Sequence, residues 1–257
     1  MKNIFLLITL ASIAITSFAE DRFFKFKLAS RNAELPIFEM SNPNAVATLI
    51  LLPGGDSGTG GLEKGKPQSK NFLSRSRDIF YNNGFNILVT YRATDLNTLD
   101  YSYRISNAHI EELKETILYA KKTFNKPVWL IGTSRGSVSG TAATINLGST
   151  YVNGLVLTSS ITNSKPGAIS SQNIEKITIP VLVVHNAKDS CKICSPEQAA
   201  QIINLLSSSQ RKQYIEIDGG YSPTGDPCQA LHWHGFVNYE TETVKIISDW
   251  IKQSIKL

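Results

Sequence analysis

The sequence predicts an α/β fold in which a mainly parallel central sheet carries helices on both faces. Three observations predict it. Segments such as ATLILL, FNILVT, VWLIG, GLVLT and VLVVH are almost continuously apolar, as strands covered on both faces must be. Stretches with helical spacing lie between them, so strand and helix alternate, and right-handed connections then make the strands parallel. No internal repeat or low-complexity linker divides the chain, and its length suits one domain with a sizeable core.

Each element has its own signal. RFFKFKL and LPIFEM alternate enough to form two opening strands. ATLILLPGG is a buried strand that ends in glycines. SKNFLSRSRDIFYNNG places Phe72, Leu73, Ile79 and Phe80 at near-helical spacing, and Gly84 can cap its end. FNILVTYR is the next strand. SNAHIEELKETILYAKKTF is the clearest helix, with Ile110, Leu113, Ile117 and Leu118 expected on one face and lysines near its C-terminal end. PVWLIG is a strand, and SRGSVSGTAATINLG is a helix of small residues. VNGLVLTSS and IPVLVVHNA are two further buried strands. SPEQAAQIINLL is a helix with Ser195 as its N-cap. YIEIDGG is the last strand, and ETETVKIISDWIKQSI closes the chain with Val244, Ile247, Trp250 and Ile251 on one stripe.

The first 19 residues have a different character. Lys2 precedes an apolar run from Ile4 to about Ile15, and Ser17 and Ala19 fit a cleavage site. This is the pattern of a secretory signal peptide over residues 1–19, with the domain in 20–257. About 12 apolar residues are too few for a membrane span, which needs roughly 20. The expected location is therefore the periplasm or the extracellular space. Net charge is +5, with lysines and arginines scattered, so no nucleic-acid partner is indicated.

Chemistry concentrates in four places. Gly132-Thr133-Ser134-Arg135-Gly136 fits G-x-S-x-G at a strand-to-helix junction, where only small residues fit beside a sharply turned serine. Such a turn lifts the Ser134 hydroxyl above the sheet near a helix N-terminus, which favours developing negative charge. Pro53-Gly54-Gly55 ends an earlier strand, and its backbone N–H groups can pair with that of Arg135 around an oxyanion, through Gly55 or Asp56. Asp189 follows a buried strand and is placed to orient an imidazole; Asp226 is the alternative. GDPCQALHWHGF offers His232 and His234 as a general base, and spacing alone does not choose between them. His109 and His185 lie elsewhere, as packing or supporting histidines. GGLEKGK matches a phosphate-loop spacing, but Pro67 stands where a metal-binding hydroxyl belongs, so a surface loop is expected there.

The order serine, aspartate, histidine at successive strand ends resembles the α/β-hydrolase fold family over nearly the whole mature chain. The nearest resemblance is to small exported bacterial serine hydrolases with a GTSRG elbow and a C…HGF histidine loop. That resemblance implies Ser134 as nucleophile, His234 as base and Asp189 as acid, with no cofactor and no metal. It also implies a disulfide between Cys191 and Cys228, leaving Cys194 free; Cys194–Cys228 is the alternative pairing, and zinc held with His232 or His234 the alternative use of these cysteines. Pro53 departs from the histidine that many relatives carry in the oxyanion loop. Lid domains of such proteins enter between the strands GLVLTSS and IPVLVVH, where only about 20 residues lie here, so no large lid is expected. The segment DSGTGGLEKGKPQSK is then the expected partial cover. The implied substrate is a small-molecule ester or amide. A peptidase of the same fold and a non-catalytic binding protein are the alternatives, and the oligomeric state is not legible.

Overall fold

The computed structural model describes residues 21–256. The signal peptide expected at residues 1–19 lies outside them. Among the described residues ten strands form in chain order: β1 (Arg22–Lys27), β2 (Glu34–Met40), β3 (Ala47–Leu52), β4 (Leu62–Glu63), β5 (Lys66–Pro67), β6 (Phe85–Thr90), β7 (Val128–Thr133), β8 (Gly154–Thr158), β9 (Val181–Asn186) and β10 (Lys212–Ile217). The helices are α1 (Phe72–Arg75), α2 (Arg77–Asn82), α3 (Tyr101–Arg104), α4 (Asn107–Phe124), α5 (Arg135–Leu147), α6 (Pro196–Leu205) and α7 (Glu240–Ile255).

Eight strands form one sheet in the order β1-β2-β6-β3-β7-β8-β9-β10. Its last six strands are parallel, and β2 and β1 extend it by antiparallel pairing. The period of two decides which face each side chain joins. Ile50 and Leu52 of β3, Leu130 of β7, Leu157 of β8 and Val183 of β9 join the core under α4, α5 and α6. Their neighbours Leu49, Leu51, Ile131, Val156 and Leu182 join the opposite core, under α1, α2 and α7.

Two helices depart from expectation. The segment after Ser69 forms two short helices, α1 and α2, because the chain leaves helical geometry at Ser76, with φ −96° and ψ 3°. Gly84, at φ +86°, closes the pair as expected. On α4, Ile110, Leu113 and Ile117 are buried, but Leu118 is 48% exposed. A residue directly after Ile117 lies about 100° further round the helix, which takes it off the buried stripe. The 18 residues of α4 begin at the Ser106 cap and end at Asn125 in the left-handed conformation.

The topology places the candidate site. From β3 the chain crosses by α1 and α2 to β6 on one side, then by α3 and α4 to β7 on the other side of β3. The loops leaving β3 and β7 diverge at this switch in strand order, which opens a crevice beyond the strand ends. Leu52 pairs with Gly132, and Thr133 with Thr158, so the Pro53–Gly55 loop and Ser134 leave the sheet side by side. Between β8 and β9 the chain makes only two short 3₁₀ turns, Ile169–Ser171 and Ile174–Lys176, and no lid domain.

Candidate active site

Ser134 is the only residue between β7 and α5, and it is bent to φ 51°, ψ −124°. A non-glycine residue in that region costs on the order of 1–3 kcal/mol and persists only when its surroundings hold it. Here they do. Its N–H donates to Thr158 O at 3.0 Å, and its carbonyl accepts from Ser137 N at 2.9 Å and Ser137 Oγ at 2.6 Å. The flanking glycines are steric requirements. A Cβ on Gly132 would lie 2.4 Å from Gly136 O, and one on Gly136 would lie 1.9 Å from Leu52 O. Gly54 has the same role across the crevice, since its Cβ would come within 2.8 Å of Ser134 Cβ.

Asp189 stands three residues past the end of β9. Asn186 shapes that turn: its carbonyl accepts from Asp189 N, its Oδ1 accepts from Lys188 N, and its Nδ2 ties the turn to Gly219 O. Both Asp189 carboxylate oxygens are used. Oδ1 accepts from Cys191 N at 3.0 Å, and Oδ2 faces His234 Nδ1 at 2.9 Å. The pair is buried, which shields it from water and makes the orientation firm. With Nδ1–H directed at the carboxylate, His234 Nε2 is left as an acceptor, and it has no hydrogen-bond partner among the described residues.

The histidine loop is held by close packing. His234 sits in a 3₁₀ turn, Trp233–Gly235, and its carbonyl accepts from Ser159 Oγ at 2.7 Å. A Cβ on Gly235 would meet Ala230 O at 1.9 Å. Phe236 buries its ring against Phe72, with centroids 4.8 Å apart, and Arg75 bonds both Gly235 O and Glu240. His232 caps the same turn, packs edge-on against Trp233 and does not line the cavity. The turn therefore separates two histidines that an extended loop would have left equivalent.

Ser134 and His234 share a cavity of about 310 Å³ with Gly54, Gly55, Asp56, Arg135, Tyr101 and Phe72 among its walls. The Gly55 and Arg135 backbone N–H groups have no acceptor among the described residues. Asp56 is turned outward, bonding Arg92 at 2.7 Å and Gly58 N at 2.9 Å. The segment expected to cover the site borders the cavity only near its ends, at Asp56 and Ser69, and makes the β4–β5 hairpin between them.

Cys191 and Cys228 are joined in a disulfide, and Cys194 is a buried free thiol. The bridge ties the acid loop to the histidine loop across 37 positions. Cys194 lies beside Ser134, which the sequence did not indicate, and Cys191, Cys194 and His234 converge with ligand atoms within 4.8 Å of one another. The disulfide withdraws Cys191 from metal binding. Burial and the Asp189 carboxylate hold the Cys194 thiol well above its ordinary range, so it stays protonated.

His185 is the next-to-last residue of β9, behind the acid loop. Its Nε2 accepts from Ser160 N–H, and burial pushes it down to about 4, so it is a neutral structural histidine. His109 packs inside the fold, as one of its expected roles had it. It is buried between Glu112 and Ser139. Its signal in the sequence was a histidine and a glutamate three apart on the apolar face of α4, where charged residues seldom sit unpaired.

Comparison with solved structures places this architecture. An esterase from Pyrococcus furiosus superimposes with a TM-score of 0.67 at 12% identity, covering 92% of each chain. A serine hydrolase without a lid from Xanthomonas campestris gives 0.60 at 12% identity, over 92% of this chain and 94% of that one. A serine hydrolase homologue from Coxiella burnetii gives 0.59 at 16% identity, over 93% and 99%. No family model and no curated protein sequence matches the chain. At such identities the likeness establishes the fold alone: it is the α/β-hydrolase fold, with only two short 3₁₀ turns between β8 and β9.

Proposed function

We propose that the protein is an exported serine hydrolase that cleaves a small ester, in the manner of a carboxylesterase. One observation carries the reading: a buried Asp189–His234 pair leaves His234 Nε2 free in the cavity that holds the strained Ser134. The esterase and serine hydrolase identities of the superimposable structures support it.

In this mechanism Ser134 Oγ attacks the ester carbonyl as His234 Nε2 accepts its proton. Asp189 stabilises the imidazolium and holds the tautomer. The backbone N–H groups of Arg135 and Gly55 donate to the tetrahedral oxyanion, each worth roughly 3 kcal/mol in comparable sites. His234 then delivers the proton to the leaving alkoxide, and the alcohol departs from a Ser134 acyl-enzyme. Water, deprotonated by His234, releases the acid and restores Ser134. No step calls for a cofactor.

The test is hydrolysis of p-nitrophenyl acetate by wild type and Ser134→Ala. Wild type turns over, and Ser134→Ala is inactive with an unchanged circular dichroism spectrum. Activity of the variant within a few-fold of wild type refutes the reading. Export is supported by the N-terminal apolar run, and mass spectrometry of the secreted or periplasmic protein is expected to find a mature chain beginning at Glu20.

A further inference from the structure

A second serine, histidine and carboxylate lie one behind another beneath the candidate site. Glu112 Oε2 faces His109 Nδ1 at 2.7 Å, and His109 Nε2 faces Ser139 Oγ at 2.9 Å. All three are buried, and the space beside them is about 10 Å³, too small to admit a substrate. Ser139 Oγ instead accepts from Arg104 Nη1 at 2.9 Å. Glu112 is also met by Tyr103 Oη at 2.7 Å and Arg31 Nη2 at 2.5 Å, and Arg31 pairs with Asp95 at the surface.

The donors and acceptors fit one arrangement. A neutral His109 donates Nδ1–H to Glu112 and accepts at Nε2 from the Ser139 hydroxyl. Ser139 oxygen is then free to accept from Arg104. Arg104 is 1% exposed, and none of its hydrogen-bond partners among the described residues is a carboxylate. Its guanidinium is spent on backbone and hydroxyl oxygens. Nε donates to Leu99 O at 3.2 Å, and Nη2 fans across Pro53 O at 3.3 Å, Gly55 O at 3.2 Å and Ser57 Oγ at 2.8 Å. Three of these acceptors belong to the loop that leaves β3.

That loop supplies the candidate oxyanion donor. In a trans peptide a carbonyl and the following N–H point to opposite sides. Arg104 therefore fixes the Pro53–Gly54 and Gly55–Asp56 peptides directly. The peptide between them is fixed by the turn in which Gly54 O accepts from Ser57 N at 3.2 Å. Ser57 itself is held by its bond to Pro53 O at 2.8 Å and by Arg104. Gly55, at φ +62°, has no side chain of its own to pin it.

We infer that Arg104 is a positioning residue for hydrolysis, which aims the N–H groups of the Pro53–Ser57 loop at the oxyanion, and that the Ser139–His109–Glu112 chain holds it in register. The inference rests on the serine-hydrolase reading. It calls for arginine in particular, because a lysine keeps the charge but loses the planar fork that reaches several oxygens at once.

Active-site titration with a fluorophosphonate first counts the reactive Ser134 in each preparation, so that kcat is expressed per reactive site. Arg104→Lys and Ser139→Ala are then compared with wild type on p-nitrophenyl acetate, with a trifluoromethyl ketone as the oxyanion analogue. The expected result is a fall in kcat per site of about 10- to 100-fold, with KM changed less than about threefold. Affinity for the ketone falls in parallel with kcat/KM, because the lost interaction belongs to the transition state. A network that only stabilises the fold lowers the melting temperature or the number of titratable sites but leaves kcat per site and ketone affinity within about twofold. That outcome overturns the inference. His109→Gln carries the same test if Ser139→Ala does not fold. Failure of wild type to react with the fluorophosphonate overturns the hydrolase reading and this inference together, whereas reactive wild type with unaffected variants overturns the inference alone.

Discussion

Ser134 and Ser139 stand five residues apart at the start of one helix, and each has a histidine and a carboxylate belonging to it. Ser134 is strained, faces a cavity of about 310 Å³, and sits near a histidine nitrogen with no partner. Ser139 is in regular helix and sealed, with its oxygen engaged from both sides. The two regions teach that residue type and hydrogen-bond order do not make a nucleophile. On the proposed reading, backbone strain, an unpaired base and room for a substrate do. The sealed array spends its hydrogen bonds on rigidity, and the open one holds an acceptor in reserve.

The comparison breaks most visibly at the open array. Ser134→Ala and His234→Ala are each expected to lower turnover by on the order of 10⁴-fold or more. His232→Ala is expected to stay within a few-fold, since His232 packs on Trp233 outside the cavity. A reversed ranking of the two histidines in ester hydrolysis would refute the assignment of the base. Asp189→Asn is expected to lose roughly 10⁴-fold because the histidine tautomer is no longer fixed. Asp226→Asn is expected to be near normal, since Asp226 is exposed and its side chain, among the described residues, accepts only from Cys228 N.

The sealed array and the disulfide are sharpened by stability. Replacing Cys191 and Cys228 by serine frees a segment with a sequence separation of 37. A loss of about 3–4 kcal/mol is expected in urea unfolding, from the regained entropy of the unfolded chain. Activity at low urea should fall before the sheet unfolds, because the bridge joins the acid loop to the histidine loop. Peptide mapping without reductant should recover a linked Cys191–Cys228 peptide, and a Cys191–Cys194 link would contradict the pairing.

Buried neutral histidines give a pH signature. His185 titrates at about 4 in the fold against an ordinary value of 6.5, and burial lowers His109 in the same direction. Between these two values of pH the unfolded chain binds more protons than the folded one, so stability rises with pH there. The His185 contribution is present above about 6.5 and is lost as pH falls toward 4, a change of about 3 kcal/mol. Unfolding free energies measured across that window should be flatter in His185→Gln. An equally steep profile would assign the dependence to other groups.

Much of this was legible in the sequence, for physical reasons. Strands covered on both faces need continuous apolar runs, and those runs marked the parallel sheet. The glycines around Ser134 mark a steric demand, and the close approaches of Gly132 and Gly136 bear that demand out. The choice of His234 over His232 came from a resemblance, because two residues separated by one have no spacing that tells them apart. The break at Ser76 and the exposure of Leu118 were missed because helical periodicity does not report a local turn or the edge of a stripe. Arg104 was missed for a deeper reason. Three of its five acceptors are backbone carbonyls, which every residue has, and the hydroxyls of Ser57 and Ser139 have no spacing in the sequence that marks them as its partners.

The central claim is that only the strained, open serine of the two is a nucleophile. A fluorophosphonate probe followed by tryptic peptide mapping tests it most directly. Cleavage after Arg135 leaves Ser134 and Ser139 on different peptides. The account predicts stoichiometric label on the peptide ending in Ser134-Arg135 and none on the peptide beginning at Gly136. An unlabelled protein, or label on the Ser139 peptide, would contradict it.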